Sequence, residues 1–172
     1  MSCLVRFVAS VLIAFSLALG GSYLAWIDSQ RVLHVRYILQ MINVIETRLR
    51  FCATPISELL AIIETSGCGG LRFAETCRKA VENGEAFFTA WKKSVLADRF
   101  MVKFMPDETQ KLIDMGADIG ITDLDSQLAC CGFYRRIFEN FLADREEKSK
   151  RSSKLFPPLG ILLGVSAAIF LQ

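Results

Sequence analysis

Hydrophobic and polar residues are distributed unevenly along this chain. Phe7 to Ile27 is a run of twenty-one residues without Asp, Glu, Lys or Arg, and Leu155 to Gln172 is a second of eighteen. Nineteen of the twenty Lys and Arg, and all eighteen Asp and Glu, lie between them. Within that charged middle the apolar positions recur in steps of three and four, the signature of amphipathic helices, and no stretch alternates as a strand would. "RVLHVRYILQMINVIETRLRF" carries one such face through Val32, Val35, Leu39, Ile42, Ile45 and Leu49. "ATPISELLAII" starts the next helix, with Thr54 as N-cap, Pro55 in the first turn and Glu58 at the positive end of the dipole; "SGCGG" ends it. "LRFAETCRKAVENG" is a third, closed by Asn83-Gly84, and "EAFFTAWKKSV" a fourth, with Phe87, Phe88, Trp91 and Val95 at packing spacing. A loop follows through Arg99, and Pro106 opens "DETQKLIDMGADI", whose buried side is Leu112, Ile113, Met115 and Ile119. The last and longest helix is expected from about Leu124 to Phe156, packing through Leu128, Cys131, Tyr134, Phe138, Phe141 and Leu142.

The two apolar ends change this from a helical domain into a membrane reading. The first is long enough to cross a hydrocarbon layer of ~30 Å, and Tyr23 and Trp26 suit an interfacial belt at its exit. The second is shorter, because Pro157-Pro158 is expected to break the helix before it. The expected organisation is a membrane helix over 4–27, a helical bundle over 28–154 and a membrane segment over 155–172. Arg31 and Arg36 on one side, and Lys148, Lys150, Arg151 and Lys154 on the other, place the middle in the cytoplasm by the excess of basic residues near the spans. Its cysteines (Cys52, Cys68, Cys77, Cys130 and Cys131) then stay reduced. Small residues form stripes on both segments, Ser10, Ala14, Ala18 and Ser22 on the first and Gly160, Gly164 and Ala168 on the second, which suits close packing of membrane helices. The rival reading is an exported helical domain, cleaved after "ALG" and held by disulfides.

Candidate chemistry is sparse. His34 is the only histidine, so metal sites with two histidines and histidine relays are excluded; its position on a helix suits an interfacial or packing role. No C-x-x-C occurs, and Cys130-Cys131 reads as packing on a helix. A net charge of +2 gives no footprint for nucleic acid. "LIDMGADIGITDLDSQ", residues 112–127, concentrates Asp114, Asp118, Asp123 and Asp125, yet a calcium loop counted from Asp118 meets Gly120, Thr122 and Ala129 at its third, fifth and twelfth positions. A phosphate loop would need Lys followed by Ser or Thr after its glycines. The stretch reads as a helix junction, with Gly120 as a left-handed stop, Thr122 as the next cap and Asp123 and Asp125 in the first turn. Beyond it, Asp144/Lys148, Glu146/Lys150 and Glu147/Arg151 are acid-before-base pairs that suit a solvated rod. No catalytic constellation, cofactor or metal is expected.

The order of an N-terminal span running into a helix, "TPISELL" at 54–60, "GEAFFTAW" at 84–91, "LIDMGADIGITDLDSQ" at 112–127 and a terminal "LGILLG" resembles the stage III sporulation protein AB family. That family is similar to the cytoplasmic domains of type II secretion F proteins and type IV pilus platform proteins. The resemblance implies an all-α fold: about six helices in a cytoplasmic bundle, flanked by N- and C-terminal membrane helices. It implies a non-enzymatic platform in the mother-cell membrane facing the forespore, part of a secretion-like transenvelope complex. The implied partners are a cytoplasmic secretion-type ATPase (stage III sporulation protein AA), other membrane subunits and further copies of the chain. Thr54, Pro55, Gly84, Trp91, Gly120, Asp123 and Gln127 match the family pattern. Most have structural reasons; Asp123 and Gln127, one turn apart, are the expected partner contacts.

Overall fold

The computed structural model describes residues 2–52, 56–66, 71–119 and 123–170, with side chains from 19 to 51, 58 to 66, 71 to 119 and 123 to 151, and at Ser16. Among these residues there are seven helices: α1 Ser2–Cys52, α2 Ile56–Thr65, α3 Arg72–Glu82, α4 Phe87–Ala97, α5 Arg99–Phe104, α6 Pro106–Ile119 and α7 Leu124–Phe170. They divide into two compact units, residues 33–143 and residues 1–32 with 144–172.

In the 33–143 unit the core begins on α1, where Val35, Ile38, Ile42, Ile45 and Leu49 are buried at steps of three and four, with Met41 buried beside them. Leu39, expected on this stripe, only packs against its margin, and Ile38 and Met41 fill the centre instead. Leu59, Leu60 and Ile63 of α2 and Phe73, Ala74 and Cys77 of α3 join the same core. Arg78 ties these two helices on the outside, reaching Glu64 at 2.9 Å and Glu82 at 2.6 Å.

The turn from α3 to α4 follows from Asn83-Gly84. Gly84 adopts φ +89°, its N–H donates to the Val81 carbonyl at 2.9 Å, and the Glu85 N–H reaches back to the Ala80 carbonyl at 3.0 Å. These two bonds are those of a Schellman stop, and they satisfy carbonyls the helix end would otherwise leave open. α4 then buries Ala90, Trp91, Ser94 and Val95, while Phe88, expected to pack, is exposed in the first turn at the margin of that face, and Phe87 packs against the core instead.

Trp91 is the centre of the unit. Its ring meets the edge of Phe73 at 5.2 Å and lies 5.6 Å from Phe87. Its indole Nε1–H donates to the Leu112 carbonyl of α6 at 2.8 Å. Gly116 lies one turn on, and a Cβ there would fall inside the van der Waals envelope of the indole. The ring therefore rests directly on α6 backbone.

A loop through Arg99 gives way to a short helix. The Asp98 carboxylate accepts from the N–H groups of Phe100 at 3.0 Å and Met101 at 3.2 Å, an N-cap that starts α5, and Met101 anchors it in the core. Pro106 opens α6 as expected, and Leu112, Ile113, Met115 and Ile119 are buried. From α7, Cys131, Tyr134 and Phe138 enter the core, Tyr134 Oη donates to Asp118 at 2.8 Å, and Arg135 meets Glu46 of α1 at 2.6 Å.

The other unit comprises the start of α1 and the end of α7. Tyr23 and Trp26 stack at 6.1 Å, and together with Leu19 and Leu24 they are about half exposed, 48–56%. Asp28 pairs with Arg31 at 3.0 Å and Asp144 with Lys148 at 2.7 Å. α7 does not stop at Phe156 and is not the longest helix: it continues past Pro157-Pro158 to Phe170, 47 residues against 51 for α1. Each proline lacks the N–H that would reach the carbonyl at 153 or 154, and the helix nonetheless continues through both. No helix of the described residues is long and apolar enough to cross a membrane; most side chains of the two expected spans lie outside that description.

Gly116→Ala should lower the urea midpoint, since overpacking the indole costs ~1–3 kcal/mol and outweighs the ~1 kcal/mol by which Ala favours a helix. Gly132→Ala, in α7 with open space around it, should raise the midpoint. Gly84→Ala should destabilise by ~1–2 kcal/mol through its left-handed backbone.

Candidate functional site

The acidic junction expected between the last two helices of the bundle does not converge on a site. Asp114 takes Gln110 at 2.9 Å and Lys111 at 3.3 Å, Asp118 takes the Tyr134 hydroxyl, and Asp125 stands exposed in the first turn of α7. Among the described residues no three His, Cys, Asp or Glu side chains come together in a metal-binding group. Gly120 and Thr122 lie outside the described residues. The described cap of α7 is Asp123 itself. Its carbonyl accepts the Gln127 N–H at 3.0 Å, and its carboxylate accepts the Ser126 N–H at 3.4 Å. Asp123 is thus the N-cap and not a first-turn residue; a carboxylate there meets both a free N–H and the positive end of the helix. Those contacts with Ser126 hold its carboxyl below the usual range.

Asp123 is exposed, as are Leu124, Asp125 and Ser126, whereas Gln127 is half-buried. The reason is register: Gln127 lies one turn before the buried Cys131, and the exposed stripe of α7 runs instead through Ser126, Ala129, Phe133 and Arg136. Phe133 is 59% exposed on that stripe. The acidic start of α7 and this phenyl ring are both exposed on the surface of the unit.

The remaining candidate residues have structural places. Gly84 is the helix stop and Trp91 the core anchor. Thr54 and Pro55 lie outside the described residues. So do the side chains of Ser10, Ala14, Ala18, Gly160, Gly164 and Ala168, while Ser22 is exposed. His34 packs as expected, stacked on Phe100 with ring centres 4.5 Å apart. Cys77 and Cys131 are buried free thiols, and burial pushes each up to about 12; Cys130, partly buried and near the Asp118 charge, is raised to about 11.

Compared with known protein families, the chain matches the model of stage III sporulation protein AB over residues 6–172. It belongs to this family. Membership makes the chain a stage III sporulation protein. No curated protein and no solved structure matches it.

Three contacts of this family member escaped the reading of its sequence. Gly116 carried a signal, because an isolated glycine inside a strong helical pattern usually marks a close approach. The bracket in which Glu46 receives Arg50 at 3.0 Å and Arg135 at 2.6 Å joins residues 89 positions apart, and nothing local announces it. The Tyr134–Asp118 bond is likewise visible only once α6 and α7 are adjacent.

Iodoacetamide at pH 8 should leave Cys77 and Cys131 unmodified in the native protein and alkylate both in urea. Raising a thiol from 9.0 to about 12 lowers its thiolate fraction at that pH about a thousandfold, so native reactivity should grow only as pH approaches that value. Mass spectrometry of peptides from both samples gives the comparison.

Proposed function

We propose that the protein is a non-enzymatic inner-membrane platform subunit of the mother cell–forespore secretion-like complex, docking a cytoplasmic secretion-type ATPase, stage III sporulation protein AA. Its bulk lies in the mother-cell cytoplasm, and its two apolar ends hold it in the membrane with other subunits of the complex. The observation that carries this reading is the half-exposed set Leu19, Tyr23, Leu24 and Trp26 on α1. Such a concentration of large apolar side chains is unfavourable in water and natural at a lipid interface, where Tyr and Trp gather. The same helix continues into the buried stripe from Val35 to Leu49. One continuous element thus serves two solvents, which suits a rigid platform that bears force generated by ATP hydrolysis elsewhere.

Two small-residue stripes on the apolar ends support packing against neighbouring membrane helices or a second copy. The exposed acidic start of α7, beginning at Asp123, supports the docking half of the proposal, with Gln127 a flanking contact. The buried thiols Cys77 and Cys131 favour the cytoplasmic reading over an exported, disulfide-held one.

Because Cys77 and Cys131 are enclosed, topology is best read from a reporter at an exposed site, Asn140→Cys on α7. An impermeant maleimide should add no label to this variant beyond the parent in intact protoplasts, and should label it fully after lysis. Labelling without lysis would remove the cytoplasmic platform. For docking, Asp123→Asn keeps an N-cap and removes the charge. It should weaken capture of the ATPase with helicity by circular dichroism unchanged, and Asp125→Lys should weaken it further. Capture at the parental level by both variants would rule out this end of α7 as the contact.

A further inference from the structure

The 33–143 unit contains a cavity of about 590 Å³ that the platform reading does not use. It is lined by α1 through His34, by the first turns of α3 through Arg72, Phe73 and Thr76, and by the α4–α5 corner through Ser94 and Ala97 to Phe100. Its walls are of two kinds. Phe73, Ala97 and the Phe100 ring stacked on His34 are apolar. Arg72 and Arg99 are cationic, and neither makes an ion pair among the described residues, whereas Arg31, Arg50, Arg78, Lys79, Lys93, Lys111, Arg135 and Lys148 do. The nearest acid to Arg72 on its own helix, Glu75, is held by Lys79 at 2.6 Å. The one carboxylate in the lining, Asp98, is engaged through Oδ1 by the two N–H groups of the α5 cap. The start of α3 adds to the positive side, since its N-cap position, Leu71, provides no side-chain acceptor for the first N–H groups.

We infer that this cavity binds a phosphate group carried on a small organic body, the phosphate held by Arg72, Arg99 and the start of α3, and the body lying along Phe73, Ala97 and Phe100. A guanidinium presents donors in a fork that matches phosphate oxygens, and a helix N-terminus offers backbone N–H groups to the same anion. A bare phosphate would leave most of the volume unfilled, because ~300–1,000 Å³ is the range of sites for larger organic ligands. The phosphate has two possible sources with this chemistry, a free phosphorylated solute and the headgroup of an anionic phospholipid. This inference stands on the cavity alone and is independent of ATPase docking.

The test uses the purified full chain in dodecyl maltoside micelles, followed by thermal melting. Glycerol 3-phosphate is compared with sodium chloride at equal ionic strength, and micelles doped with phosphatidylglycerol are compared with phosphatidylcholine. A rise in midpoint with glycerol 3-phosphate identifies a solute; a rise with phosphatidylglycerol alone identifies a headgroup; either supports the site. Arg72→Gln and Arg99→Gln are changes on exposed side chains, and each should raise the half-saturating concentration about tenfold or more, the effect of losing one charged hydrogen bond. Ala97→Trp, which fills the cavity from its exposed edge, should abolish the response. No rise with either phosphate probe, or a rise unaltered in the arginine variants, overturns the inference.

Discussion

The indole of Trp91 lying on the backbone of α6 is the constraint on which the rest of the 33–143 unit depends. The contact needs three things at once: a donor on the ring, a carbonyl in reach at Leu112, and no side chain at Gly116. Each partner serves a second purpose. The Leu112 carbonyl belongs to the α6 ladder, and the opposite edge of the indole orders Phe73 of α3 and Phe87 of α4. Three helices are therefore fixed by one side chain, and the acidic start of α7 inherits its position from α6 through the Tyr134–Asp118 bond.

How far this could be read from the sequence depends on the range of each interaction. Caps and stops are local, so Gly84 and Pro106 were legible from a few neighbouring letters. Stripes are nearly as local, and Leu112, Ile113, Met115 and Ile119 fell where a period of 3.6 puts them. Where two local signals compete, the outcome turns on tertiary contacts. Asp98 reads as loop in the sequence because α5 is only six residues long, and Met101 must reach the core before so short a helix holds. Phe88 has the spacing of Trp91 and Val95 but sits in the first turn of α4 at the edge of its buried face, where the neighbouring Phe87 takes the core contact. Asp123 looks like a first-turn residue in the sequence because Thr122 is an equally good cap by residue type. The Glu46 bracket could not be read at all, its partners being distant in the chain.

The family places the chain among stage III sporulation proteins. Cys77 and Cys131 are buried, Glu46, Asp98, Asp114 and Asp118 are engaged in caps and pairs, and Trp91 orders neighbouring helices. What is left over at the surface is selective: an acidic helix start with a phenyl ring on the next turns, and two arginines beside an unused cavity.

The Arg135–Glu46 contact also sets a schedule. The ribosome completes α1 long before it makes Arg135, and at roughly 5–20 residues per second the 89 steps from Glu46 to Arg135 take on the order of 4–18 s. Throughout that interval the apolar stripe from Val35 to Leu49 lacks the helix that carries Cys131, Tyr134 and Phe138. A nascent chain would thus expose a sticky half-core for seconds. Its yield in the cell would depend on translation speed and on chaperones, as much as on the stability of the finished fold.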